Sequence, residues 1–489
     1  MDKWEKAGRL AESGRYEHAW KIIAPALIEN PLDPRMMVTG ALVLKQLGHL
    51  PQSYHMARTM TQLYPTDFAG WANLGAVCAL MCLNDEAEAA YRSGLECCRN
   101  QDEQVLIWTN LNALLVDTGR FAEAEAVAAK ILEVEPDNKA GLANTGFCKL
   151  ARRDWGGWKG YHLTIGTDWR SKTQYKDEPE WDGSPGKKVA LYADQGLGDE
   201  ISFASVIPDA VKVCEKVILE CDTRLEGLFK RSFPKVKVYG TRGQKQIDWD
   251  DQDFECSLPL GQLGEFFRTK DSDFPGTPYL VPDPDRVKGW KAVFEGKPTI
   301  GIAWTGGVAK TNARNRRISL MDFLPLFQTL DARFVSLQYK DSQGEIDAFP
   351  YNFDIKQYRH GTLTHDYDDT AALVASLDYV VCMQTAVAHT AGALGVPVVV
   401  LVPVATQWRY GASYDSVPWY KSLKVVRQER HGQWDGEIER ATQIVGAHFA
   451  GLSQDAGKAA RDHRLRNGIP SVRSPRLGGH KPNGSHPPA

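Results

Sequence analysis

The stretch Lys188–Pro208, KVALYADQGLGDEISFASVIP, passes from a short apolar β-branched run through a glycine turn into an amphipathic helical pattern. Strand, tight turn and helix start, in that order, make a place where backbone amides hold an anion and a side chain is presented to it. The turn is Gln195-Gly196-Leu197-Gly198-Asp199. Gly196 and Gly198 let the backbone approach a neighbour with no Cβ in the way. Asp199 falls in the first turn of the expected helix, where the dipole favours a carboxylate. That position admits two readings, a helix cap and an acid facing a ligand, and spacing alone favours the cap.

A chain of 489 residues has room for several domains of about 100–200 residues each. Hydrophobic content of 43% and charged content of 24% are those of a soluble globular protein. A net charge of −3 gives no electrostatic case for nucleic acid or a bilayer as partner. The first residues, MDKWEKAGRLAESG, lack the apolar core of a secretory signal. The longest apolar run, near Val396–Ala405, is about half a membrane span and contains Pro397 and Pro403. The expectation is a cytoplasmic protein that is not integral to a membrane. Nine cysteines without a CxxC pair read as buried reduced thiols, not as disulfides or zinc ligands, so no metal is expected.

Residues 1–153 repeat. Pro31 and Pro65 are 34 apart, and Pro65 to Pro136 is 71, which is 34 plus 37. Each proline closes a two-helix unit. Small residues recur where the helices should cross: Gly8, Gly75 and Gly146 in first helices, Ala19, Ala87 and Ala124 in second helices. With Trp71, Leu74, Tyr91, Trp108 and Leu111, these positions resemble the tetratricopeptide repeat, in about four units and a partial one reaching Leu150. Stacked units leave a concave groove that suits a peptide or protein, or they serve as a support for the next domain.

Residues 154–187 form an aromatic-rich connector with Trp155, Trp158, Tyr161, Trp169 and Trp181. Such density fits a carbohydrate-stacking surface, and fits better a packed joint between domains. Short β-branched runs then alternate with helical stretches in two series, residues 188–285 and 286–450, which predicts two parallel-sheet, Rossmann-like halves facing a cleft. Ligands of such sheets bind beyond the carboxyl ends of the strands, where the glycine turn sits. Residues 451–489 are rich in Gly, Pro, Ser and Arg and read as a disordered tail.

Three further turns follow strands. Thr305-Gly306-Gly307 precedes a basic stretch with Lys310, Arg314, Arg316 and Arg317, suited to a diphosphate or simply solvated. Gln384-Thr385-Ala386 opens a small-residue helix whose amides and Thr385 hydroxyl face the cleft, with His389 one turn on, facing ligand or core. Gln407-Trp408-Arg409-Tyr410 sets Arg409 between aromatics, either clamping a phosphate or tying the carboxyl-terminal segment to the domain. Asp368-Asp369 reads as a solvated helix start, and no metal-binding DxD pair stands in a donor-strand context.

Taken together, QGLGDEISFASVIP, GIAWTGG, RNRRISL, FVSLQY, the run DTAALVASLDYVVCMQTAVAHTAGALGVPV, the link PEWDG and the WDG at residues 434–436 resemble bacterial tetratricopeptide-repeat proteins whose carboxyl-terminal part is similar to glycosyltransferase family nine, the heptosyltransferases. The resemblance covers all but the tail. It implies a GT-B fold, an acceptor half followed by a nucleotide-sugar half, and inverting, metal-independent sugar transfer with no cofactor. It places the catalytic base on Asp199 and the donor diphosphate on the Thr305-Gly306-Gly307 turn, the basic stretch around Arg316 and the helix start at Thr385. The residues themselves add Gln384, Ala386, His389 and Arg409 to the candidate donor site, and Gln195, Gly196 and Gly198 as the acceptor-side turn. Gln384 stands where relatives commonly carry Asp, which leaves open a second expectation: a repeat scaffold with a degenerate nucleotide-binding half. The implied partners are a nucleotide-sugar and a protein or glycan acceptor brought in through the repeat groove.

Overall fold

The computed structural model describes the backbone of residues 2–167, 169–244, 248–307 and 317–466, with side chains as far as residue 451. Nine helices come first: α1 (Lys3–Glu12), α2 (Tyr16–Glu29), α3 (Pro34–Gln46), α4 (Leu50–Leu63), α5 (Phe68–Leu80), α6 (Asn84–Glu96), α7 (Gln101–Asp117), α8 (Phe121–Val134) and α9 (Lys139–Ala151). Each odd-numbered helix is capped by its own side-chain acceptor, Asp2, Asp33, Asp67, Asn100 or Asn138, satisfying amides that the first turn leaves unpaired. The pairs α1–α2 to α7–α8 stack into an α-solenoid. The partial unit pairs α9 with the short helix α10 (Trp158–His162).

The small residues work as expected at two of the three glycines. A Cβ on Gly75 would lie 2.4 Å from the Tyr91 ring, and one on Gly146 would lie 2.7 Å from Gly160 Cα, so both helix pairs meet at backbone distance. Gly8 differs, because the space at its Cβ position is open. Ala19, Ala87 and Ala124 are fully buried at their crossings.

Two parallel sheets follow. The first holds β1 (Lys188–Tyr192), β2 (Lys216–Glu220), β3 (Lys237–Tyr239) and β4 (Cys256–Pro259) in the order β3-β2-β1-β4. The second holds β5 (Thr299–Ala303), β6 (Arg333–Ser336), β7 (Ile355–Gln357), β8 (Tyr379–Met383), β9 (Val398–Val402), β10 (Ser416–Val417) and β11 (Tyr420–Arg427) in the order β10-β11-β9-β8-β5-β6-β7. Every residue of β5, β8 and β9 is buried, which is why these strands read as unbroken apolar runs: helices cover both faces. Among these strands β10 alone runs antiparallel, at the edge. The fold class is the expected one, a tetratricopeptide-type solenoid joined to two Rossmann-like halves.

The connector is a packed joint. Trp155, Trp158, Tyr161 and Trp181 are buried, whereas Trp169 is exposed. Trp158 stands edge-on to Tyr161, Phe203 and Trp408, bringing solenoid end, first half and second half together. The joint extends along α9: Ala412 N–H donates to Ala151 O at 2.8 Å, Arg153 Nη2 to Ser416 O at 2.8 Å, and Tyr414 O–H to Arg152 O at 3.1 Å.

The reading of 451–489 as a disordered tail is corrected in its first part. The last helix is continuous over Asp435–Arg466, and Ala456, Ala459, Ala460, Arg461, Arg464 and Leu465 are strong helix formers that the Gly and Pro count obscured. The rest of that segment lies outside the described residues.

Candidate functional site

Both sheets reverse direction at the strand that precedes a singled-out turn. From β1 the chain moves outward to β2 and β3, then returns to β1's other side as β4. From β5 it moves to β6 and β7, then returns as β8 and β9. Such reversals open a crevice at the carboxyl ends of the strands. The Gln195–Asp199 turn leaves β1, the Thr305–Gly307 turn leaves β5, and Gln384–Ala386 leaves β8.

These turns converge. A Cβ on Gly306 would sit 2.1 Å from Thr385 Cγ2, so the β5 and β8 turns touch and only glycine fits between them. Gly198, in α11 (Leu197–Ala204), lies against the other half: a Cβ there would be 3.1 Å from Ala386 Cα and 3.4 Å from His389 Cδ2. Thr385 caps the helix Ala386–Leu394, its Oγ1 accepting from Val387 N–H at 3.2 Å. Thr305 exchanges hydrogen bonds with Gln338, accepting from Nε2 at 2.6 Å and donating its N–H to Oε1 at 3.3 Å. Gly307 adopts φ +79°, a left-handed conformation that favours glycine.

Asp199 caps its helix, as spacing favoured: one carboxylate oxygen accepts from Gly196 N–H at 3.1 Å, and the other accepts from Arg409 Nη2 of the opposite half. Arg409 is buried over Phe203 and Trp408, each 5.4 Å from the guanidinium carbon. Burial works against its charge, but Asp199 with Tyr161, Tyr410 and Tyr420 outweighs that, and its pKa stands raised. Arg409 thus ties the halves together through Asp199. His389, also buried, lies between Tyr420 O–H at 3.3 Å from Nδ1 and Tyr410 O–H at 3.3 Å from Nε2. Gln384 is 2% exposed and its Oε1 makes no hydrogen bond to a described residue, nor does Arg409 Nε. A buried polar atom in that state costs about 1–3 kcal/mol.

Several residues beside the site escaped the sequence reading. Arg170 and Asp194 form an ion pair at 2.5 Å with side chains 1% and 2% exposed, and Asp194 Oδ1 accepts from Gly261 N–H at the end of β4. Gln262 links Arg170 at 3.0 Å to Glu265 at 2.6 Å, while Gln195 Nε2 donates to Tyr161. Glu200 is buried, holding Asp222 N–H and Arg242, and burial pushes its carboxyl up, to about 8, against the opposing pull of Arg242. For Asp194 and Glu200 the signal was adjacency to the turn in ADQGLGDE, whereas Arg170, Gln262 and Glu265 are distant in sequence and carried none. Asp368 corrects the reading of a solvated helix start: it is 2% exposed and pairs with Arg231 of the first half at 2.6 Å, a second bond across the halves. Arg316, Lys310 and Arg314 lie outside the described residues. Among the described residues, no group of three or more His, Cys, Asp or Glu is placed to hold a metal, and no helix is long and apolar enough to cross a membrane.

Behind the turn, Lys159, His162, Glu180, Trp181, Asp182, Glu265 and Phe266 line a cavity of about 440 Å³. His162 stands 3.7 Å from Glu265 and 3.3 Å from Glu180. The Glu265 carboxylate beside it raises its pKa above the ordinary 6.5, against partial burial and aided by Glu180. A histidine raised in the folded state stabilises below the unfolded value, and that contribution is lost as pH rises through the folded value. Urea-midpoint measurements across pH 5 to 8, a range set around an imidazole value of about 6.5, should show a downward slope to which the raised Glu200 carboxyl also contributes, and His162→Gln should make it shallower.

No family model matches the chain. It is similar to Protein FlbA of Caulobacter vibrioides, 29% identical over 456 residues that cover 80% of this chain and 74% of that protein. Among solved structures, a thermophilic TPR protein of Thermus thermophilus is 18% identical with a TM-score of 0.30, covering 33% of this chain and 87% of its own. PilW, a type IV pilus biogenesis factor, is also 18% identical with a TM-score of 0.30, covering 33% of this chain and 74% of its own.

Proposed function

We propose that the chain is a cytoplasmic glycosyltransferase that moves a sugar from a nucleotide-sugar to an acceptor, inverting and without a metal, with Asp199 as general base. The observation that carries this reading is the convergence of Gly196–Asp199, Thr305–Gly307 and Gln384–Ala386 at the switch points of two parallel sheets, with Gly198 on Ala386 and Asp199 on Arg409. Transfer needs a base to take the acceptor hydroxyl proton as its oxygen bonds the anomeric carbon, while the bond to the diphosphate breaks. It also needs donors for the charge left on the diphosphate. Asp199 fills the first role. The amides after β5 and at the start of helix Ala386–Leu394 fill the second, with Arg409 and, from the resemblance, Arg316. Because Arg409 holds Asp199, a diphosphate that competes for the guanidinium frees the carboxylate. The repeat groove brings the acceptor, a protein or a glycan.

The second reading, a scaffold with a degenerate transferase-like half, is favoured by Gln384 in place of an acid and by the Asp199–Arg409 pair closing the crevice. Calorimetry with a panel of nucleoside diphosphates, paired with a transfer screen over nucleotide-sugars, separates the two. Transfer supports the enzyme; binding without transfer across a broad acceptor panel supports the scaffold.

A further inference from the structure

A second cavity lies at the other end of the nucleotide-sugar half. It has a volume of about 640 Å³ and is lined by Tyr379 at the amino end of β8, Pro397 just before β9, Lys421, Ser422 and Lys424 of β11, and Arg440, Gln443, Ile444, Ala447 and His448 of the last helix. Strand β8 separates its lining residue Tyr379 from Gln384 by roughly 16 Å, at about 3.3 Å per residue, so it shares nothing with the crevice described above.

Its charge is one-sided. The lining brings together Lys421, Lys424, Arg440 and His448 and includes no carboxylate. Arg440 is already held by Glu429 at 2.5 Å, Glu437 at 3.3 Å and the Arg427 carbonyl at 2.8 Å. Neither lysine forms an ion pair with any described residue. Two lysines and an imidazole around one concavity match an anion with several oxygen acceptors.

We infer that this cavity between β11 and the last helix binds a phosphate-bearing anion of at least two charges. A phosphorylated sugar or free pyrophosphate is of fitting size, and a lipid headgroup carries the same chemistry. The site stands whether or not the chain transfers a sugar.

Lysine labelling tests it on the full chain. Lys421 and Lys424 are acylated with and without sodium pyrophosphate, against sodium chloride of matched ionic strength, and read by mass spectrometry. At about ten times Kd the two lysines should label about tenfold more slowly, while the solenoid's Lys130 is unaffected. Because the readout belongs to these two lysines, pyrophosphate held at the proposed donor crevice does not contribute. Phosphatidylcholine vesicles with and without phosphatidylglycerol form the second arm. Protection by pyrophosphate assigns a soluble ligand; protection by the anionic vesicles alone assigns a headgroup. His448→Glu, and Lys424→Glu read at Lys421, should each abolish protection, with unchanged circular dichroism showing that the fold persists. Absence of protection in both arms, or protection surviving both variants, overturns the inference.

Discussion

Asp199→Asn should lower sugar transfer by roughly 100-fold or more, the usual loss when a general base is removed. The amide keeps one oxygen, which can stay on Gly196 N–H and hold the turn while its NH2 faces the Arg409 guanidinium, and on the proposed mechanism it no longer takes the acceptor proton. Stability should fall as well, because Asn leaves a buried guanidinium without its counter-charge. Breaking a buried pair in this way costs about 3–5 kcal/mol, and the partial exposure of Asp199, at 21%, places the expected loss at the lower end. Asp199→Asn with Arg409→Met removes both charges and should recover much of that stability while recovering no transfer. Initial rates over a nucleotide-sugar panel and urea unfolding, run on the two single variants and the double, separate the chemical role from the structural one. Equal turnover by wild type and Asp199→Asn removes Asp199 from the mechanism. Recovery of transfer in the double variant would reduce the carboxylate's role to holding Arg409.

Trp158→Ala should be among the most destabilising single substitutions in the chain, at about 3–5 kcal/mol, the range for deleting a buried aromatic. Trp158 is 2% exposed, its Nε1 donates to Arg268 O at 2.9 Å, and a Cβ on Gly264 would lie 2.3 Å from its ring. Truncation therefore opens a cavity and orphans a buried carbonyl. Because the ring touches all three parts of the chain, the loss should also show locally, as faster proteolysis around residues 151–187 under native conditions. Trp158→Phe, which keeps one aromatic ring and loses the N–H and the fused ring, should cost less. A urea midpoint for Trp158→Ala within error of wild type would contradict the joint as described.

The parts of the fold governed by local rules were legible in the sequence. Prolines at a period of about 34 residues, alanines at helix crossings and unbroken valine runs each have a short-range cause, and the solenoid and both sheets follow from them. The turns of the candidate site were legible for the same reason, since glycine after a strand carries its meaning locally. What the sequence hid was pairing at a distance. Asp199 and Arg409 are 210 residues apart and Arg231 and Asp368 lie on different halves, so no spacing announces either bond. Asp368 looked solvated because an acid beside another acid at a helix start usually is; a cation supplied by the other half buried it. Gln384 was visible as a departure from the pattern the sequence resembles, but its unpaired oxygen shows only once the turns around it are packed.

The hydrogen bonds from α9 to the segment Ala412–Ser416 have a consequence for what the chain can select. They fix the end of the groove to the same loop that carries Arg409, so groove and crevice cannot swing independently. On the proposed transferase reading, and for a protein acceptor, a chain seated among the repeats would meet Asp199 at a set length from its anchoring segment. The solenoid would then act as a ruler, choosing a residue by its distance from the anchor and leaving the sequence around it free to vary.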